Sequence, residues 1–167
     1  MVIIHIFCVT DELFSGVGTV APKHVLYQQL LNEEVGYVNL SNKNINYLKN
    51  RFLYSKGFRF SKLPSPFCHP DIVVFHELYY LPYLKMYKEL NKNKTPYIIF
   101  PHGGLAKSAQ SIKKIKKAVA NFVWFNRFFK SALSIQYLTT KEKSESVLCV
   151  DSFVCPNGMD SHNGSIV

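Results

Sequence analysis

Short, continuous apolar runs alternate along the chain with longer stretches of helical periodicity. That is the pattern of strands joined by crossover helices, not of a meander or a bundle. Residues 2–9 are unbroken and β-branched, predicting a central parallel strand buried on both faces. A loop over residues 10–21 carries Gly16 and Gly18, Pro22 sits at a first helical position, and residues 23–34 are patterned as a helix. A second strand is predicted over residues 36–40 and a helix of weak periodicity over 42–54. Pro64, Pro66 and Pro70 then make 55–70 an extended connection. Further strands fall at 71–76, 96–101, 134–138 and 152–155. Helices fall at 78–90 and from Thr139 or Thr140, as N-cap, to about residue 148. Pro156-Asn157-Gly158 reads as a closing turn.

In such a series the right-handed crossovers place helices on both faces, and ligands sit beyond the carboxyl ends of the strands. The predicted class is therefore α/β, a Rossmann-like parallel sheet flanked by helices. Three polar features follow strand ends and share one rim: the first glycine loop, His76 with Glu77, and His102 with its glycines.

Composition narrows the picture without changing it. At 167 residues, with 47% hydrophobic and 19% charged residues, the chain is neither disordered nor collagen-like. One domain over residues 1–159 is expected, with 160–167 as a short tail. The 4 cysteines show no CxxC spacing, and no basic n-region precedes the opening apolar run, which predicts a reduced, cytosolic chain. Structural zinc needs four ligands in close pairs, which neither Cys68 with His69 nor Cys149 with Cys155 supplies, so no metal is expected. No apolar run is long enough to span a bilayer, and membrane contact would be peripheral.

The net charge of +9 raises anionic lipid, nucleic acid and phosphorylated small molecules as partners. The excess is local: residues 91–140 contain no Asp or Glu but hold Lys92, Lys94, Lys107, Lys113, Lys114, Lys116, Lys117, Arg127 and Lys130. Ile112, Ile115, Val119 and Phe122 fall on one helical face there, with Lys113, Lys114, Lys116 and Lys117 spread over the other. This basic amphipathic helix fits either a solvated lysine face over a packed helix or an anionic membrane surface. The aromatics from Phe122 to Phe129 surround their helix, indicating burial in protein or at a lipid interface. Nucleic acid is not the expected partner, because no aromatics interleave the lysine run and no nucleic-acid-binding motif is present.

Around Gly16, Gly18 and Thr19, backbone N–H groups could approach a phosphate at a helix N-terminus. The third glycine of the dinucleotide fingerprint and the Lys-Ser/Thr of a P-loop are both missing, so a flexible βα loop is the plain alternative. His102, between Pro101 and Gly103-Gly104, could donate to a sugar hydroxyl or share charge with a phosphate, or could merely fill a turn. His76 and Glu77 form a similar pair that could simply face solvent.

Taken in order, these motifs resemble one family. Pro70-Asp71-Ile72-Val73-Val74-Phe75-His76, then Thr95-Pro96-Tyr97-Ile98-Ile99-Phe100-Pro101-His102-Gly103-Gly104-Leu105, is followed by Asn126-Arg127, Ala132, Ser134-Ile135-Gln136-Tyr137-Leu138-Thr139, Glu142 and Val154-Cys155-Pro156-Asn157-Gly158-Met159. The order and spacing are similar to the N-terminal domain of retaining GT-B glycosyltransferases of the group 1, or family 4, type, which build bacterial surface polysaccharides such as O-antigen or capsule. The resemblance implies an acceptor-side domain at the inner face of the plasma membrane, with a nucleotide sugar and a lipid-linked glycan as substrates and no further cofactor. It implies His102 near the transferred sugar as the catalytic-site histidine. Gly16, Gly18 and Thr19 would lie near the donor diphosphate, and His76, Glu77, Gly103 and Gly104 on the acceptor side. The family's second domain, which holds the nucleotide, has no counterpart in residues 160–167. The expectation is thus a truncated chain, inactive alone, or half of a split enzyme with a separate donor-domain chain. A non-catalytic binding module and a basic membrane-surface or nucleic-acid binder are the rival readings.

Overall fold

The computed structural model describes residues 1–10, 16–105, 124–146, 148 and 150–157. Its centre is an all-parallel sheet of 7 strands in the order β3-β2-β1-β4-β5-β6-β7. The strands are β1 (Val2–Phe7), β2 (Glu34–Asn39), β3 (Arg51–Leu53), β4 (Ile72–His76), β5 (Tyr97–Phe100), β6 (Ser134–Tyr137) and β7 (Ser152–Val154). The described helices are α1 (Gly16–Leu30), α2 (Leu81–Asn93), α3 (Asn126–Lys130) and α4 (Thr140–Glu145), with a 3-10 turn at Phe60–Lys62. The chain has the Rossmann-like α/β fold that its alternating pattern predicts.

Period-two alternation sends successive side chains of each strand to opposite faces, and both faces are covered. On one side Ile4, Ile6, Val73, Phe75, Tyr97, Ile99 and Ile135 pack with Tyr83, Met86 and Leu90 of α2 and with Phe128 and Phe129 of α3. On the other, Ile3, Phe7, Val35, Tyr37, Val74 and Phe100 pack with Ala21 and Val25 of α1. The aromatics around α3 are thereby assigned: Phe125, Phe128 and Phe129 are buried in protein, whereas Trp124 is exposed.

Three expectations are corrected. The glycine segment is helical from Gly16, so Gly16, Gly18 and Thr19 occupy the first turns of α1 instead of a loop, and Pro22 lies inside the helix. Pro22 withholds one N–H from the ladder, a loss the packed helix tolerates. The helix also stops earlier than predicted: Asn32 takes a left-handed φ of 61°, and Glu34 opens β2 opposite Val2. Residues 42–54 are not helical but form turns leading into β3. Asparagine side chains offer this backbone a competing set of partners. Asn42 bonds both the N–H and the C=O of Tyr54, and Asn50 Nδ2 donates to Val35 O. The resulting short edge strand raises the expected strand count to 7.

Candidate functional site

The carboxyl ends of β4 and β5 carry the rim. Past β5 the chain turns sharply, with His102 at φ 47° and Gly103 at φ 82°, consecutive left-handed residues of which only the second is glycine. A non-glycine residue held there costs of order 1 kcal/mol or more and persists only where surrounding contacts impose it. The contacts are specific. Gly103 N–H donates to Glu142 Oε1 at 2.7 Å, while Glu142 Oε2 accepts from Leu138 N–H at 2.9 Å. Glu142 is itself held by the N-cap of α4, where Thr139 Oγ1 accepts its N–H at 3.0 Å. Gly104 N–H closes a turn onto Pro101 O, and a Cβ at Gly104 would meet that oxygen and Leu78 Cδ1, each at 2.9 Å.

The end of β4 is equally constrained. Glu77 and Tyr79 both have positive φ, at 65° and 66°. Glu77 N–H donates to Phe100 O, its carboxylate accepts from Tyr80 O–H at 2.7 Å, and burial raises its pKa. Burial and the Glu77 carboxylate together push the Tyr80 phenol well above its usual value.

Between the two strand ends runs a line of imidazoles. His5 Nδ1 lies 2.9 Å from His76 Nε2, and His76 Nδ1 lies 3.0 Å from His102 Nε2. At the inner end His5 Nε2 lies 2.8 Å from Gln28 Oε1 on α1. The ring planes differ by 27° at the first step and 12° at the second. Strand register produces this line: His5 pairs with Val74 and His76 with Phe100, so each histidine is one strand over and two residues nearer the rim than the last. His5 and His76 are wholly buried. Burial lowers the pKa of His5 to about 4 and of His102 to about 4, and sets His76 well below the ordinary histidine range. At neutral pH the three rings are uncharged, so His102 offers hydrogen bonding rather than charge.

His24 of α1 packs edge-on against His76 and Phe100. Its pKa is lowered by burial, an effect the neighbouring Asn157 side chain opposes. Val20, Lys23, His24, Tyr27, Gln28 and Asn157 line a pocket of about 140 Å³, which brings Asn157 against α1. The ring nitrogens face one another in sequence instead of converging, and no described group of three His, Cys, Asp or Glu is arranged to hold a metal ion.

Of the residues singled out in the sequence, His76 and His102 are joined directly, and Gly103 and Gly104 shape the same loop. Glu77 turns to Tyr80. His76 does not face solvent, and reaches the rim only through His102. Gly16, Gly18 and Thr19 begin α1, Gly18 buried and the other two exposed. Lys113, Lys114, Lys116 and Lys117, like residues 160–167, lie outside the described residues. Sequence reasoning missed Gln28, His24 and the partnership of His5. The available signal was a histidine inside an otherwise apolar strand, since a polar group buried on both faces requires a partner.

No family model, curated protein or solved structure matches the chain. Fold and rim together define an α/β domain of Rossmann-like type with a constrained polar loop at the carboxyl ends of its central strands. No described helix is long and apolar enough to cross a membrane.

Proposed function

We propose that the chain is the acceptor-binding, N-terminal part of a retaining glycosyltransferase that moves a sugar from a nucleotide-sugar donor to a lipid-linked glycan in surface polysaccharide synthesis. In that reaction the bond from the anomeric carbon to the diphosphate breaks, and a bond to an acceptor hydroxyl forms on the same face. The hydroxyl proton leaves with the nucleoside diphosphate. One observation carries the reading: the Pro101-His102-Gly103-Gly104 loop, strained at His102 and clamped by Glu142, stands beyond the carboxyl ends of parallel strands, where α/β folds bind ligands. A small-residue loop around one uncharged imidazole suits close approach by a sugar.

Peripheral contact with an anionic membrane face belongs to the same proposal. A shallow groove of about 470 Å³ between the segment after β3 and α2 gathers Lys56, Arg59, Lys85, Lys88 and Lys92 around Glu89. The Glu89 carboxylate accepts from Phe60 N–H, Ser61 N–H and Ser61 O–H, and the five cations outnumber this one acid in the groove. This charge supports the membrane reading independently of the lysines at 113–117.

The direct test is a ligand titration of the 15N-labelled chain with a detergent-solubilised lipid-linked oligosaccharide, simple methyl glycosides and single-stranded RNA. Glycans are expected to shift the amide signals of His102 and Gly103. Unmoved signals with every glycan, or an RNA that shifts them instead, would overturn the assignment.

A further inference from the structure

We propose that Gln28, His5 and His76 form a tautomer lock that leaves His102 with a bare Nδ1, a hydrogen-bond acceptor at the rim, so that the group recognised there is a hydroxyl and not a phosphate. The substrate class rests on the glycosyltransferase reading above; the lock itself does not.

The argument is a proton count along the line. The Gln28 amide oxygen faces His5 Nε2 at 2.8 Å and can only accept, so that nitrogen carries the hydrogen. A neutral imidazole has one N–H, which makes His5 Nδ1 an acceptor, and the hydrogen in the 2.9 Å contact must come from His76 Nε2. His76 Nδ1 is then an acceptor in turn, and the 3.0 Å contact takes its hydrogen from His102 Nε2. His102 is left with a lone pair on Nδ1, and that nitrogen makes no hydrogen bond to a described residue. One carboxamide thus sets the tautomer of a ring three groups away.

The count requires three neutral rings, and the surroundings enforce neutrality. His24 stands edge-on to His76 from α1, Phe7 and Phe100 do so from β1 and β5, and no described carboxylate hydrogen-bonds any of the three. Among the described residues, two carboxylates of this rim are engaged elsewhere, Glu77 with Tyr80 and Glu142 with Gly103 and Leu138. Burial opposes charge on every member. The line is also a lock rather than a wire. A proton passed inward from His102 would end on the Gln28 carboxamide oxygen, which does not hold a proton at neutral pH, so relay has no terminus. The bare Nδ1 therefore welcomes a sugar O–H and repels an unprotonated phosphate oxygen, as in a diester, which brings only lone pairs of its own. His5, His76 and Gln28 are positioning residues: they act on the ligand only through His102.

Long-range 1H–15N correlation of the histidine-labelled chain at pH 7 tests the lock without any ligand. The expected result is Nε2–H with unprotonated Nδ1 on His5, His76 and His102. A His102 protonated on Nδ1, which a Gln28 amide turned nitrogen-first would impose, overturns the lock, and so does an imidazolium. In the folded Gln28→Leu variant His102 is expected to lose its single tautomer and become a mixture, while the exposed His69, away from the line, keeps its signal. Retention of pure Nε2–H there also overturns the proposal. Addition of methyl glycosides should shift His102 Nδ1, and dimethyl phosphate, a diester with no O–H to donate, should not; the reverse order overturns the hydroxyl assignment. An intact lock in a chain whose His102 ignores every saccharide overturns the substrate class and the glycosyltransferase reading together. A wrong tautomer overturns the lock whatever the saccharides do.

Discussion

Uncharged histidines inside a protein make its stability sensitive to acid. His5 is wholly buried and its pKa is lowered from 6.5 to about 4. Above pH 6.5 the ring is neutral folded or unfolded and contributes no slope. As pH falls from 6.5 toward 4 the unfolded chain binds a proton that the folded one refuses, so stability is lost across that window. For His5 alone the loss is on the order of 3 kcal/mol, and His102 and His76 act in the same direction. Glu77, raised by burial, has the opposite sign above pH 4.5, and one carboxyl does not offset three rings. Urea midpoints measured from pH 7.5 to 4.5 should be level down to about pH 6.5 and fall steadily below it. A midpoint that holds from 7.5 to 5 would show that these rings are not buried in neutral form.

Among elements, the rim depends on a latch between the loop after β5 and α4. Glu142 Oε1 takes the Gly103 N–H and Oε2 the Leu138 N–H, so one carboxylate ties together segments separated by 39 positions. Glu142→Ala removes two charge-assisted bonds and is expected to cost about 1–3 kcal/mol. The more diagnostic readout is hydrogen exchange at Gly103, which should quicken by at least about tenfold as its opening free energy drops. Unchanged Gly103 exchange in that variant would mean the loop is held by something else. Gly104→Ala acts on the same loop by crowding. Its new Cβ meets the Pro101 carbonyl, which cannot step aside as a leucine tip can, and a loss of about 1–3 kcal/mol is expected in thermal denaturation.

For the molecule as a whole, charge placement matters more than its sum. The net charge is +9, and the described part of it concentrates in the groove beside α2, where Lys85, Lys88 and Lys92 recur at helical spacing opposite Lys56 and Arg59. Each lysine near an anionic bilayer contributes about 1 kcal/mol. Replacing Lys85, Lys88 and Lys92 by Gln is therefore expected to weaken binding to phosphatidylglycerol-containing vesicles by about two orders of magnitude. Added salt should weaken wild-type binding as well. Vesicle affinity equal to wild type in the triple variant would remove this groove as the contact.

The α/β class, the alternation of strands with helices and the clustering of polar residues at strand ends were legible in the sequence, because hydrophobic period and Gly/Pro chemistry act within a few residues. The N-cap of α4 was legible for the same reason, as Thr139 and Glu142 are neighbours on one turn. Local signals misled where a side chain competed with the backbone or a helix absorbed a proline, at residues 42–54 and around Pro22. The candidate site needed the third dimension. His5 and His76 are 71 positions apart, and only the register of β1 against β4 and of β4 against β5 sets their rings, with His102, on one diagonal. A shift of one residue in either pairing would send a histidine to the opposite face of the sheet. Alternation along the chain thus determined which residues would meet the two helical layers, while tertiary pairing alone decided which of them would touch each other.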